Sequence, residues 1–127
     1  MSGKKILVVD DDRLLAKTID LCLSKRGHRV DVFNSGAGAI KQLFEEAPDL
    51  IVADIRLPDC DGWFIAQLLE KMELSQKIPL IIISVLDPDR GKVASVKPNA
   101  YIQKPFDMGQ LILAVERSLN QECLSAG

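Results

Sequence analysis

Three consecutive carboxylates, Asp10, Asp11 and Asp12, follow an apolar run in "ILVVDDD". A fourth, Asp54, ends a second apolar run in "DLIVADIRLPDCDG". A hydroxyl, Ser84, closes a third run in "PLIIIS", and an ammonium, Lys104, follows a fourth in "AYIQKPF". Carboxylates within a few ångströms repel one another when ionised, and a bound divalent cation removes the conflict. Oxygen-only donors suit Mg²⁺ or Mn²⁺, and a site with few protein ligands matches the habit of Mg²⁺ of keeping waters for phosphate oxygens. A carboxylate held beside a metal and a lysine can act as a nucleophile towards phosphorus. The metal and Lys104 would stabilise equatorial phosphoryl oxygens, with Ser84 donating a hydrogen bond to one of them. Any one of these acids also reads as a helix cap or a solvated turn. Their joint occurrence on four strand ends is what points to a site.

Such a site requires a fold that brings the ends of these runs to one rim. Residues 5–9, 50–53 and 80–84 are short aliphatic runs with the look of buried parallel strands. "RVDVF", residues 29–33, alternates as a strand at a sheet edge does, and residues 100–103 are a fifth candidate. Helical spacing separates them. Leu15, Ile19 and Cys22 mark a first helix closed by Gly27, and Ile40, Leu43, Phe44 and Ala47 a second. Ile65, Leu68, Leu69 and Met72 mark a third. Leu111, Val115, Ser118 and Leu119 mark the last, capped by Asp107 with Gln110 three residues on. "LDPDRGKVASVKP" predicts a short fourth helix with Asp87 as cap and Pro88 in its first turn, weakened by Gly91 and limited by Pro98. Five strands alternating with five helices imply an α/β fold, a doubly wound parallel sheet with helices on both faces. Right-handed crossovers leave few topologies, and at this size the expected strand order is 2-1-3-4-5, the flavodoxin-like (βα)5 arrangement. Ligands of such sheets bind beyond the carboxyl ends of the strands where the order reverses, between strands 1 and 3. Asp10–Asp12 and Asp54 end those two strands.

The composition narrows the classes. At 127 residues the chain suits one domain, expected over 1–127 with a core of about 4–120 and a polar tail, 121–127, that frays. A net charge of -2 gives no bulk attraction to nucleic acid or anionic membrane. No apolar run reaches membrane-spanning length, and "MSGKKILVV" has no signal-peptide pattern, so a cytoplasmic location is expected. Cys22, Cys60 and Cys123 are widely spaced and the lone His28 cannot complete a zinc set, so free thiols are expected.

The four motifs, in this order and at these distances, resemble the receiver domain of response regulators in two-component phosphorelays. The resemblance covers residues 4 to about 120. It implies a signalling phosphoprotein rather than a classical enzyme, one that promotes its own Mg-dependent phosphorylation and dephosphorylation. It makes Asp54 the phosphoacceptor. It makes Asp11 a direct metal ligand, Asp10 a ligand through water, and the carbonyl of Arg56 a further ligand beside Asp54. Ser84 becomes the switch hydroxyl, Lys104 the phosphoryl-contacting lysine, and Tyr101 the aromatic that turns inward after phosphorylation. The Lys104–Pro105 bond is expected to be cis. The implied donor is a phosphohistidine on a sensor histidine kinase or histidine phosphotransfer protein. The implied effector surface is the fourth helix, fifth strand and fifth helix.

Several residues depart from that pattern or fall outside it. Val85 stands where the family usually has a small residue, so it could narrow access to Asp54 or restrain the switch. The stretch from Ser84 to Lys104 is short and "SVKPNA" lacks the usual Gly-Ala turn. These features motivate an alternative, a degenerate receiver acting as a phosphorylation-independent interaction module. Two enzymes on the same architecture fit worse. A flavodoxin would place a hydroxyl- and glycine-rich loop after strand 1, and an aspartyl-nucleophile phosphatase an acid where Arg56 stands. The side chain of Arg56 either touches phosphate and acidic groups or faces solvent. "NSGAG" at 34–38 hints at a phosphate-binding turn but lacks a third glycine, and reads better as a helix start capped by Asn34 or Ser35. His28 reads as a solvated loop residue, Trp63 as a residue of the site rim or of local packing, and Cys60 as an unreactive loop thiol.

Overall fold

The computed structural model describes residues 3–85 and 97–126, with side chains of the last helix described through residue 120. The elements are β1 (Lys5–Val9), α1 (Arg13–Lys25), β2 (Arg29–Phe33), α2 (Gly36–Glu45), β3 (Leu50–Asp54), α3 (Gly62–Lys71), β4 (Leu80–Ser84), β5 (Ala100–Gln103) and a C-terminal helix (Met108–Ala126). The sheet has five strands in the order β2-β1-β3-β4-β5, all parallel. Four helices lie among the described residues. The fourth helix expected from "LDPDRGKVASVKP" falls at 86–96, outside the described residues.

Alternation along each strand sends side chains to two cores. Leu7, Val9, Ile51, Ala53 and Ile82 meet Ala39, Leu43, Ile65 and Leu69 of α2 and α3. Ile6, Val8, Val52, Ile81 and Ile83 meet Ala16, Ile19 and Leu23 of α1 and Leu111 and Val115 of the C-terminal helix. β3 and β4 are buried at every position, and β2, at the edge, at none. A central strand buried on both faces has to be an apolar run, and an edge strand alternates.

The helices follow the expected period but not always the expected face. α2 buries Gly36, Ala39 and Leu43, with Ile40 partly buried, so the i, i+3, i+4, i+7 stripe starts four residues earlier than expected. Phe44 is 64% exposed, and α2 ends at Glu45 before Ala47. The residue before a proline is disfavoured in the helical region, and Pro48 follows Ala47, which accounts for the early stop. α1 buries Ala16, Ile19 and Leu23, while Cys22 is only half-buried. Gly27, at φ 92°, supplies the left-handed residue that ends the turn after α1. The C-terminal helix buries all four residues expected of it, and the Asp107 carboxylate accepts from the Gly109 N–H at 3.1 Å.

His28 is not a solvated loop residue. Its side chain is 8% exposed, its Nδ1 accepts from the Lys4 N–H at 3.1 Å, and its Nε2 lies 3.0 Å from Glu116 Oε1. An Nδ1 that accepts leaves the proton on Nε2, which donates to Glu116. The ring ties the start of β1 to the C-terminal helix, on the opposite end of the sheet from the acidic residues.

Candidate functional site

β1 and β3 are adjacent and in register, so the residues after Val9 and at Asp54 emerge side by side. Each strand end uses the same local device. Asp10 Oδ1 accepts from the N–H of Asp12 at 2.9 Å, and Asp54 Oδ1 accepts from the N–H of Arg56 at 3.0 Å. These turns back onto the backbone two residues ahead fix both carboxylates in orientation. The remaining oxygens face each other across Lys104, whose Nζ is 3.0 Å from Asp10 Oδ2 and 2.7 Å from Asp54 Oδ2. Lys104 is held there by its own backbone: its N–H donates to the Ser84 carbonyl at 2.6 Å, and its bond to Pro105 is cis, as expected.

Asp10 is fully buried and Asp54 is 5% exposed, whereas Asp11 is exposed. Burial pushes the Asp10 carboxyl above its ordinary range; the Asp12 N–H and Lys104 oppose this, and the charge of Asp54 adds to it. Burial alone would pull Lys104 down, but its hydrogen bonds and charge pairing with Asp54 and Asp10 outweigh that and raise it. Lys104 is therefore a fixed cation. Carboxylate oxygens of Asp10, Asp11 and Asp54 lie within 4.8 Å of one another. Among the described residues three carboxylates face one lysine, an excess of two negative charges when all are ionised. A divalent cation matches that excess, and the all-oxygen donor set suits a hard ion. The residues present fit a metal.

Asp12 stands apart. Its carboxylate accepts from the Leu15 N–H at 3.1 Å and caps α1. Ser84 is fully buried at the end of β4. Tyr101 lies on β5, half-buried, with its ring stacked 6.2 Å from that of Trp63. Trp63 is 4% exposed and belongs to the core between the sheet and α2 and α3. The Arg56 side chain is exposed, with no ion pair among the described residues. Val85 is 55% exposed, and its carbonyl accepts from Gln103 Nε2 at 3.4 Å. Burial, then the charges of Asp59 and Asp61, raise the Cys60 thiol, which disfavours the reactive thiolate.

Two residues beside the site have contacts that the sequence did not show: Asn34, expected only as a helix cap, and Asp59. Asn34 Nδ2 donates to the carbonyl of Asp10 at 2.9 Å. Asp59 accepts from the N–H groups of Gly36 and Ala37, both at 2.8 Å, which holds its carboxyl below the ordinary range. The Pro-Asp pair in "LPDCDG" signals a turn, but nothing local says which helix that aspartate caps. α2 itself has Ser35, not Asn34, in the capping position, its Oγ accepting from the Gly38 N–H.

The family described as the response regulator receiver domain matches residues 6–116. The chain belongs to that family. Solved structures of receivers agree with the fold. A CheY-like receiver domain from Methanospirillum hungatei JF-1 is 22% identical, with a TM-score of 0.90 over 98% of this chain and 99% of that one. The receiver domain of the Francisella response regulator 1452 is 30% identical, with a TM-score of 0.84 over 94% and 98%. The BeF3-activated receiver domain of DrrB, a Thermotoga maritima protein, is 29% identical, with a TM-score of 0.82 over 93% and 98%. The receiver thus has a phosphoacceptor family's architecture and an acidic cluster able to hold a metal. No helix among the described residues is long and apolar enough to cross a membrane.

Proposed function

We propose that this receiver takes a phosphoryl group on Asp54 from a phosphohistidine of a partner histidine kinase or phosphotransfer protein, in a Mg²⁺-dependent reaction. The observation that carries this reading is the single ammonium of Lys104 bridging two buried carboxylates beside an exposed third. A purely structural ion pair needs one acid; the surplus acids have a use only if more positive charge arrives.

In the transfer, the P–N bond of the donor imidazole breaks and a P–O bond to an Asp54 oxygen forms. The electron pair of the broken bond returns to the imidazole nitrogen, which takes up a proton. The Arg56 N–H holds one oxygen of Asp54 and Lys104 the other, so the nucleophile is oriented before the donor arrives. As the carboxylate becomes an acyl phosphate it loses its charge, and Lys104 is free to pair with a phosphoryl oxygen instead. Asp10, Asp11, Asp54 and the carbonyl of Arg56 would hold Mg²⁺, which neutralises charge on the phosphoryl oxygens. Ser84, at the end of the neighbouring strand, donates its hydroxyl to the phosphoryl group. Its movement is followed by Tyr101 turning from Trp63, which alters the β5 surface that effectors read. Hydrolysis of the acyl phosphate by water at the same site returns the receiver to its resting state.

Beryllofluoride with Mg²⁺ tests this reading. Amide resonances of Arg56, Ser84 and Tyr101 should shift on addition, and should not shift in Asp54→Ala. Unmoved resonances in the wild type would favour the phosphorylation-independent module.

A further inference from the structure

The turn "NSGAG" holds no phosphate loop, yet it contacts the loops that follow both acidic strand ends. At one side, the Asp10 N–H donates to the Phe33 carbonyl at 3.0 Å and Asn34 Nδ2 donates to the Asp10 carbonyl at 2.9 Å. At the other, the N–H groups of Gly36 and Ala37 donate to the two oxygens of Asp59, each at 2.8 Å. Within residues 34–37, Asn34 thus grips the loop after β1 while Gly36 and Ala37 grip the loop after β3.

The second grip reaches Arg56 by a short path. The loop after β3 is a tight hairpin: the Leu57 N–H donates to the Cys60 carbonyl at 3.2 Å and the Gly62 N–H to the Ile55 carbonyl at 2.8 Å. Arg56 pairs with Asp61 across it. Asp59 sits at the tip, so its hold on α2 fixes the whole hairpin. The fit is close. A Cβ on Gly36 would stand 2.1 Å from Cys60 Sγ, and one on Gly62 2.5 Å from the Asp54 carbonyl oxygen. Both distances show that the hairpin lies directly against α2 and the end of β3, with no space for a side chain between them.

We propose that residues 34–37 and Asp59 form a clasp that sets the spacing between the two acidic loops, with Asp59 a positioning residue for the Arg56 carbonyl and hence for divalent cation affinity. This inference rests on the reading of Asp10, Asp11, Asp54 and Arg56 as the metal site. It gives the "NSGAG" turn a role in the chemistry without a ligand of its own: its backbone donors are already taken by a carboxylate of the same chain. Outer groups that orient metal ligands in this manner change affinity without touching the ion.

The test is Mg²⁺ titration by calorimetry of the whole chain, with thermal unfolding in EDTA as the control for fold. Asp59→Ala should weaken Mg²⁺ binding by about ten-fold well below its unfolding midpoint. Asp59→Asn, which keeps one acceptor oxygen, should fall between it and the wild type. Gly36→Ala keeps the Asp59 carboxylate but sets a Cβ 2.1 Å from Cys60 Sγ and 3.3 Å from Asp59 Oδ1, and should weaken binding too; adding Cys60→Ala removes the larger clash and should restore most of it. That pair decides the matter if Asp59→Ala does not fold. Asp11→Ala serves as the reference for a lost ligand. If Asp11→Ala abolishes binding while Asp59→Ala and Gly36→Ala bind within about two-fold of wild type, the clasp is refuted and the metal site stands. If the wild type does not bind Mg²⁺, the reading of the site fails and the clasp fails with it.

Discussion

Replacing Lys104 by Met keeps the length and apolar stem of the side chain and removes only its charge and donors. The ammonium lies 3.0 Å from a fully buried carboxylate and 2.7 Å from one that is 5% exposed. Without it, Asp10 and Asp54 face each other with no cation between them. The cheapest response is for Asp10 to take a proton, since burial already raises its pKa and Lys104 is among the forces opposing that rise. Protonating a carboxyl of ordinary pKa 3.8 costs about 1.36 kcal/mol per pH unit above that value. The ceiling on the loss is therefore about 4 kcal/mol at pH 7, within the range for a broken buried pair, and about 1.6 kcal/mol at pH 5, below that range. The sign follows from linkage. A carboxyl whose folded pKa is raised binds more protons in the native state, so its stability contribution falls as pH rises through that pKa. Lys104→Met should then lose about 2–4 kcal/mol relative to wild type at pH 7 and clearly less at pH 5, by urea unfolding in EDTA. Adding Mg²⁺ at pH 7 should recover part of the loss. An equal loss at both pH values would mean that Lys104 contributes packing rather than charge, and would refute the electrostatic account of the site.

Other expectations concern the rest of the molecule. The His28 hydrogen bond, helped by Arg26, holds the Glu116 carboxyl below its ordinary value. Glu116→Gln should therefore destabilise at pH 7, with the difference from wild type vanishing as pH falls below the ordinary 4.5 and through the folded pKa, in urea midpoints at the two extremes. On α2, Leu43→Ala should cost about 2–5 kcal/mol and Phe44→Ser less than about 0.5 kcal/mol by the same assay. Comparable losses would mean that α2 packs on the wrong face. Gly62→Ala brings a Cβ to 2.5 Å from the Asp54 carbonyl oxygen. That clash is with backbone, so it should cost about 1–3 kcal/mol in thermal unfolding, and an unchanged midpoint would show that the hairpin can yield.

The sheet was legible because its central strands are buried on both faces. Residues 5–9 and 80–84 are short runs whose bounds the structure reproduces. Edge strand β2 announced itself by alternation. Helix period was legible, and so was phase in the C-terminal helix, but the phase of α2 was not. Ile40, Leu43, Phe44 and Ala47 satisfy the template, yet the packed set is Gly36, Ala39, Ile40 and Leu43. Glycine and alanine carry little hydrophobic signal, and they are what allows α2 close to the sheet and the Asp59 hairpin. Within the site, Asp10, Asp11, Asp54 and Lys104 were readable because strand ends at a switch point must converge. Asn34 and Asp59 were not, because their partners are backbone groups 24 and 23 residues away, and a carboxylate capping a distant helix leaves no local pattern. His28 failed for the same reason. A histidine beside a glycine reads as loop, and its partners, Lys4 and Glu116, are far away in sequence.

The central claim is that Asp54 accepts phosphoryl from a P–N donor. Phosphoramidate supplies that bond without a partner protein. Incubated with it and Mg²⁺, the wild type should gain one phosphoryl mass that maps to the peptide carrying Asp54. The gain should disappear in EDTA and in Asp54→Ala. Labelling of Asp54→Ala to the same extent, or a phosphoryl group mapped to another residue, would contradict the account.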